Sequence, residues 1–324
     1  MKEQIGTTMQ RELLKDIYGF EFPEDFWTFL KFYREIKGTR NQKTLEDFEG
    51  LGICPTGPFD VLNGHFEGKE LKLPLTHHMR FRMDPPEFHT IFLGRDDGLH
   101  FGYWVDDIRK SDICIAGYYN NDAFGIDYYG TNLFEFIRYQ LEDMAGAYTE
   151  DMEEQDEEHI LYTKKVLRRL ARLRNVLMKY GTGERGLKGE EYYVCYAEGD
   201  SRLHTAPTWE GMGIVVPEDT YQSWEEPYFD KEVRPSKVEI ANLTEYAARL
   251  CKQAEIFLEQ GLYGNALQIG KNLWSFGMKF SEEATEILKK AYLGLGQDNY
   301  AELIQTHQLH RGRASADISD YKPV

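Results

Sequence analysis

Apolar residues change their spacing twice along this chain, and this restricts the fold more than any single motif does. Before residue 50 they recur at helical intervals. From residue 51 to about 130 they gather in short β-rich runs, and from Lys237 onward helical spacing returns. The opening stretch RELLKDIYGFEFPEDFWTFLKFYREIKG reads as two helices. The second has Pro23 near its first turn, the acids Glu24 and Asp25 behind it and Gly38 after its end. Its apolar face is Phe26, Phe29, Leu30 and Tyr33.

The β-rich runs are GICPTGPFDVL, HTIFLGRD, LHFGYWVDD and DICIAGYYN, separated by Gly, Asp and Asn turns. They predict a mainly antiparallel sheet, closed by a helix over GTNLFEFIRYQLEDMAG. The acidic block EDMEEQDEE then runs into KKVLRRLARLRNVLMK. Acids early and bases late suit the dipole of one long helix, with Leu167, Leu170, Leu173 and Leu177 in a stripe. Its charge predicts a solvated connector between domains. GERGLKGEEYYVCYAEG predicts a turn and a strand, WEGMGIVVPED a further short strand, and the remainder helices. The fold class expected is α+β: an N-terminal, mainly antiparallel sheet flanked by helices over 1–149, then a mostly helical α+β domain over 150–312. Residues 313–324 form a polar, loosely ordered tail.

With 41% hydrophobic residues and 14% aromatic residues, the sequence can bury a large core. The formal charge of -17 argues against broad contact with nucleic-acid phosphates or anionic lipid and suits a basic protein partner, while leaving room for a local basic patch. Cys54, Cys114, Cys195 and Cys251 form no CxxC pair and read as buried free thiols of a reducing compartment. The polar start MKEQIGTTMQRELLKD is unlike a signal peptide, and no apolar window is long enough for a membrane span. A cytoplasmic location is expected, or a nuclear one in a eukaryote.

Standard catalytic signatures are missing. The chain has no GxSxG, P-loop, HExxH or dinucleotide fingerprint, and GTGERGLKG lacks the GK[ST] ending. His77, His78, His89 and His100 fall among predicted strands, where neighbours point to opposite faces, so no metal site is expected. No cofactor is expected either. In FRMDPPEFHTIFLG, Pro85 and Pro86 impose an extended corner, with Asp84 or Glu87 able to accept backbone donors, a structural role. In EQGLYG, Gly261 and Gly264 end one helix and restart another beside the pair Glu259–Gln260.

The strings YGFEFPEDFWTFLKFYREI, LGICPTGPFDVLNG, MRFRMDPPEFHTIFLG, FGYWVDD, WEGMGIVVP and LYGNALQIGKNLWSFG, taken in this order, resemble the histone PARylation factor family. The resemblance runs from about Asp16 to His307. The front, through FPEDFWTFLKFY, also resembles the SMI1/KNR4-type module of immunity proteins.

The first resemblance implies an accessory protein rather than a free-standing enzyme. In that family a helical region docks on a poly(ADP-ribose) polymerase and inserts a glutamate that serves as base toward a substrate serine. Aligned on Tyr263–Gly264, Glu259 falls at the family's aspartate and Gln260 at its base. An amide cannot take the proton. The family's arginine in the loop after the Val-Val-Pro strand corresponds to Trp224. The expectation is a binding or regulatory partner of an ADP-ribosyltransferase without serine-directed catalysis, with Trp224, Tyr263 and Gly264 meeting the partner. The alternatives are a trans-acting cofactor that uses Glu259, an antidote to a bacterial toxin, or a scaffold in which Glu259–Gln260 only ends a helix.

Overall fold

The computed structural model of the chain describes residues 7–110, 112–121, 125–150, 156–180, 202–226 and 243–320. Cys195 and the strand expected over GERGLKGEEYYVCYAEG lie outside them. The α+β class holds: the chain combines helices with a five-stranded sheet of order β1-β2-β3-β4-β5. The strands are β1 (Cys54–Pro55), β2 (Phe88–Leu93), β3 (Leu99–Val105), β4 (Ile113–Tyr119) and β5 (Asp127–Tyr128). The pairs β2–β3, β3–β4 and β4–β5 are antiparallel, and Ile91 is the extra residue where the β2 register shifts between Thr90 and Phe92.

Contacts divide the chain into two compact units, and neither is continuous in sequence. One comprises residues 1–11, 22–54 and 129–201, the other 12–21, 55–128 and 202–324. The linear division expected near residue 150 is not where the contacts part. The sheet belongs with the C-terminal helices, and the long helix after residue 156 belongs with the N-terminal ones.

The first unit holds α2 (Glu24–Ile36), α3 (Gln42–Glu49), α5 (Leu133–Glu150) and α6 (Glu157–Leu177). Phe26, Phe29, Phe32, Phe48 and Phe134 are buried in its core. Asp25 Oδ2 accepts the Leu133 N–H at 2.6 Å and Asn132 Oδ1 that of Phe134 at 2.9 Å, so α5 starts on capped donors. Helix α6 is not the solvated connector its charge suggested. Leu170, Leu173 and Leu177 are buried, while Arg169 and Arg172 both reach the buried carboxylate of Asp47 on α3. Arg174 pairs with Glu142 on α5 at 2.5 and 2.7 Å. A basic helix face reads alike in sequence whether water or buried acids lie opposite it.

The second unit contains the sheet with α4 (Pro58–Leu62), α7 (Leu243–Glu259), α8 (Tyr263–Trp274), α9 (Ser281–Gly294) and α10 (Asp298–His310); α1 (Thr8–Tyr18) runs from the first unit into it. Only Cys54–Pro55 of GICPTGPFDVL is strand. PFDVL is helical: Asp60 Oδ2 accepts the Gly57 N–H at 2.9 Å, the N3-to-N-cap half of a capping box, and Asp60 N–H donates to Gly57 O at 3.0 Å. WEGMGIVVPED contributes only an isolated bridge, Ala206 to Ile214, to the described residues. His77 lies in a short 3₁₀ turn rather than on a strand. The tail is packed as far as residue 320: Ile318 is buried and Met79 N–H donates to Ala316 O at 2.9 Å. Of the described cysteines, Cys114 is buried, Cys251 half-buried and Cys54 exposed, against the expectation of uniformly buried thiols.

Candidate functional site

The break between α7 and α8 is a Schellman turn. Gly261 N–H donates to Leu258 O at 3.2 Å, and Leu262 N–H donates to Phe257 O at 2.8 Å. Gly261 has φ +75, and no atom lies within 4 Å of where its Cβ would be. Backbone handedness, rather than crowding, therefore selects glycine there. Phe257 and Leu262 pack in one apolar cluster and complete the motif. Gln260 N–H donates to Ile256 O at 3.1 Å, so the backbone under the acid–amide pair is fixed. The side chains of Glu259 and Gln260 are both exposed.

The loop after Val216 is clamped against this break by α8. A Cβ on Gly264 would lie 2.7 Å from Val216 Cγ2 and 3.0 Å from Thr220 O, so glycine lets the loop rest directly on the helix. Asn265 pairs with the backbone of Gln222 in both directions, accepting its N–H at 2.9 Å and donating to its carbonyl at 2.8 Å. Gln268 Oε1 accepts the Trp224 indole N–H at 2.8 Å, and the Trp224 ring meets Phe257 edge-on at 5.4 Å. Trp224 is thus half-buried and anchors the loop beside the helix end. Tyr263, also half-buried, lies against Gly294 of α9.

The anchors share one signature that the sequence analysis passed over. Asn265, Gln268 and Asn272 recur at helical spacing on a helix whose residues from Gly264 to Trp274 are all buried. Polar groups in such a place need partners, and the loop supplies them. Glu226 is the last described residue of that loop. Its carboxylate accepts from the Tyr246 hydroxyl on α7 and from Asn272 Nδ2 on α8. Burial pushes its pKa up to about 7 from an ordinary 4.5, against the lowering effect of those two donors.

A raised acid pKa means the folded state binds the proton more tightly. The contribution of Glu226 to stability is therefore complete below about pH 4.5 and lost as pH rises through about 7. Glu226→Gln keeps the neutral shape at every pH. The variant should match the parent near pH 5 and exceed it above pH 7, by up to about 3 kcal/mol. Chemical denaturation of both proteins across that range measures the difference.

A second buried group lies farther along α8. Lys271 Nζ is 3.0 Å from Glu210 Oε1 and 3.4 Å from Glu87 Oε1, and 4.4 Å from the centre of the Trp104 ring. Tyr292 OH donates to Glu87 at 2.8 Å. Burial pulls the lysine pKa down, but Glu210 and Glu87 outweigh it and leave it raised. Glu87 of the DPPEF corner therefore accepts side-chain donors from the helices. Asp84 takes the backbone donor, Phe81 N–H at 2.7 Å, together with His100 and the Tyr118 hydroxyl. Among the described residues no group of three or more His, Cys, Asp or Glu could hold a metal ion, and no helix is long and apolar enough to cross a membrane.

Fold and site together define an α+β protein that holds out an acid–amide pair at a fixed helix end, beside a loop locked to the next helix. The sequence profile described as Histone PARylation factor 1 matches residues 9–225, two thirds of the chain, and the chain belongs to that family. It is 26% identical to Histone PARylation factor 1 of Mus musculus over 328 residues, covering 97% of this chain and 90% of the relative. To the Bos taurus protein of the same name it is 25% identical over 322 residues, covering 95% and 88%. To that of Danio rerio it is 25% identical over 330 residues, covering 98% and 89%.

Proposed function

We propose that this chain is an accessory partner of an ADP-ribosyltransferase, docking through the α7–α8 break, and that it binds or regulates the enzyme without directing ADP-ribose to serine. The observation that carries this reading is the exposed Glu259–Gln260 pair on a hydrogen-bonded turn; the family resemblance suggests that Gln260 takes the register of the base. A site that completes another protein's active centre needs its polar group presented outward and held in place, since small misplacements are costly in rate. Gln260 can donate and accept hydrogen bonds but has no basic lone pair for a serine proton. Trp224 and Tyr263 border the break and form the rest of the docking edge, while Gly264, expected to meet the partner, is buried beneath the loop and supports that edge from below.

Glu259 as a substitute base is the second reading, favoured by its exposure at the last residue of α7. It must act from about 100° around the helix axis relative to Gln260. The charge of -17 also suits a basic toxin as partner, the immunity reading. One experiment separates the three. The full chain is mixed with a poly(ADP-ribose) polymerase catalytic domain and a serine peptide, and binding and modified residues are measured. Binding without serine labelling is expected. Serine labelling that disappears in Glu259→Ala would transfer the role to Glu259. Failure to bind would remove both transferase readings.

A further inference from the structure

Although the protein carries 55 acidic against 38 basic residues, one cavity of its second unit is lined by four arginines and three histidines. It measures about 290 Å³, near the lower end of the roughly 300–1,000 Å³ usual for small-molecule sites. None of the described residues lining it is Asp or Glu. The residues come from the 77–82 segment, from Asn120 and Asn121 after β4, and from the end of α10 through Ala316.

The buried guanidinium groups here donate their N–H groups to neutral acceptors. Arg80 is 4% exposed and donates to the carbonyls of Pro85 at 2.7 Å and Phe88 at 2.8 Å. Two carboxylates interact with it through space, Asp84, which also takes Phe81 N–H, His100 and Tyr118, and Glu87. Arg311 is 2% exposed, donates to the carbonyls of Arg82 and Gly277 and lies 3.4 Å over the Trp274 ring. Burial pushes its pKa down to about 9. Arg313 spends one guanidinium nitrogen on the carbonyls of His77 and Arg80. Carbonyls satisfy the N–H groups of Arg311 without cancelling its charge, and a low-dielectric wall makes such a field strong.

Two polar atoms in the same cavity lack partners. Nε2 of His77 and Nε2 of His307 are buried and make no hydrogen bond. The rings lie 6.4 Å apart. Burial and the Arg80 charge hold His77 down to about 3 and His307 well below its ordinary value, so both rings are neutral near pH 7. His77 Nδ1 lies 3.3 Å from the Thr76 hydroxyl, which as donor leaves Nε2 carrying the N–H. At the rim, Arg82 is exposed and its guanidinium makes no ion pair with any described residue. Buried polar groups without partners are uncommon, and here they share a cavity with uncancelled positive charge.

We propose that this cavity binds the phosphate group of a small phosphate-bearing molecule, with Arg82 and the Nε2 atoms of His77 and His307 as its direct ligands. Guanidinium forks match phosphate oxygens, and neutral imidazole donors add directional hydrogen bonds without further charge. The buried Arg311 adds to the field that attracts the anion. The site is separate from the α7–α8 break and does not depend on the transferase reading.

The test is isothermal titration calorimetry of the full chain at low salt and near-neutral pH, with inorganic phosphate, pyrophosphate and ADP as probes. Saturable binding of at least one is expected. Equal affinity for pyrophosphate and ADP assigns recognition to the phosphates, and tighter ADP adds a nucleoside contact. Arg82→Glu should weaken binding at least about tenfold, as expected for a lost charge-assisted hydrogen bond. Arg82→Gln serves if the charge reversal alters the melting curve. Lys290→Glu, the same charge change on exposed α9 surface, should leave affinity within about twofold. No saturable heat from any probe, or an equal loss in Lys290→Glu, overturns the proposal.

Discussion

Gln260→Glu should convert a silent complex into one that labels serine. On the proposed reading the substitution places a carboxylate in the register of the family's base, and it changes one atom type on an exposed side chain. The backbone beneath is set by the Gly261 turn and the Phe257–Leu262 contact, so the new carboxylate inherits a fixed position. General-base catalysis of this kind supplies about 10²–10⁴-fold in rate. Mass-spectrometric mapping of a serine peptide, with the polymerase catalytic domain and NAD, should show serine modification rising by that range over the parent. An unchanged complex that binds equally well but labels no serine would sink the idea that only the base is missing. Glu259→Ala in the same background distinguishes a helper role for the neighbouring acid.

Lys271→Met should be among the most destabilising substitutions on α8. Methionine fills a similar volume over Trp104 but leaves Glu87 and Glu210 buried with no cation between them. Removing one partner of a buried ion pair costs about 3–5 kcal/mol, a large part of a typical total stability. Urea denaturation, with exposed Lys279→Met as control, measures the loss. A small loss, no larger than that of the control, would show that the carboxylates find other partners.

Both predictions rest on groups of different legibility. The exposed pair was visible in EQGLYG because a glycine-bounded helix end is a local event, decided by handedness and the nearest carbonyls. Helix α2, strands β2 to β4 and helix α5 were legible for the same reason: periodicity and caps act over a few residues. PFDVL misled, since a β-rich composition was overruled by one carboxylate, Asp60, closing on Gly57. The role of Trp224 needed Gln268 and Phe257, which lie 44 and 33 positions away. Glu226 carried no sign in its own neighbourhood of meeting Tyr246 and Asn272, although the buried stripe Asn265, Gln268 and Asn272 could have announced that something polar must cover α8.

By itself the sequence determined the α+β class, most helices and strands, and the family resemblance. These depend on side-chain type and short-range spacing, which a linear string records. Only the tertiary structure decided that the sheet joins the C-terminal helices, that α6 is pinned by Asp47 and Glu142, and that Lys271 sits between two acids. It alone gathered His77, Arg82, His307 and Arg311 around one cavity. Burial and charge act through space, so groups more than two hundred residues apart can share one dielectric environment that no local pattern encodes.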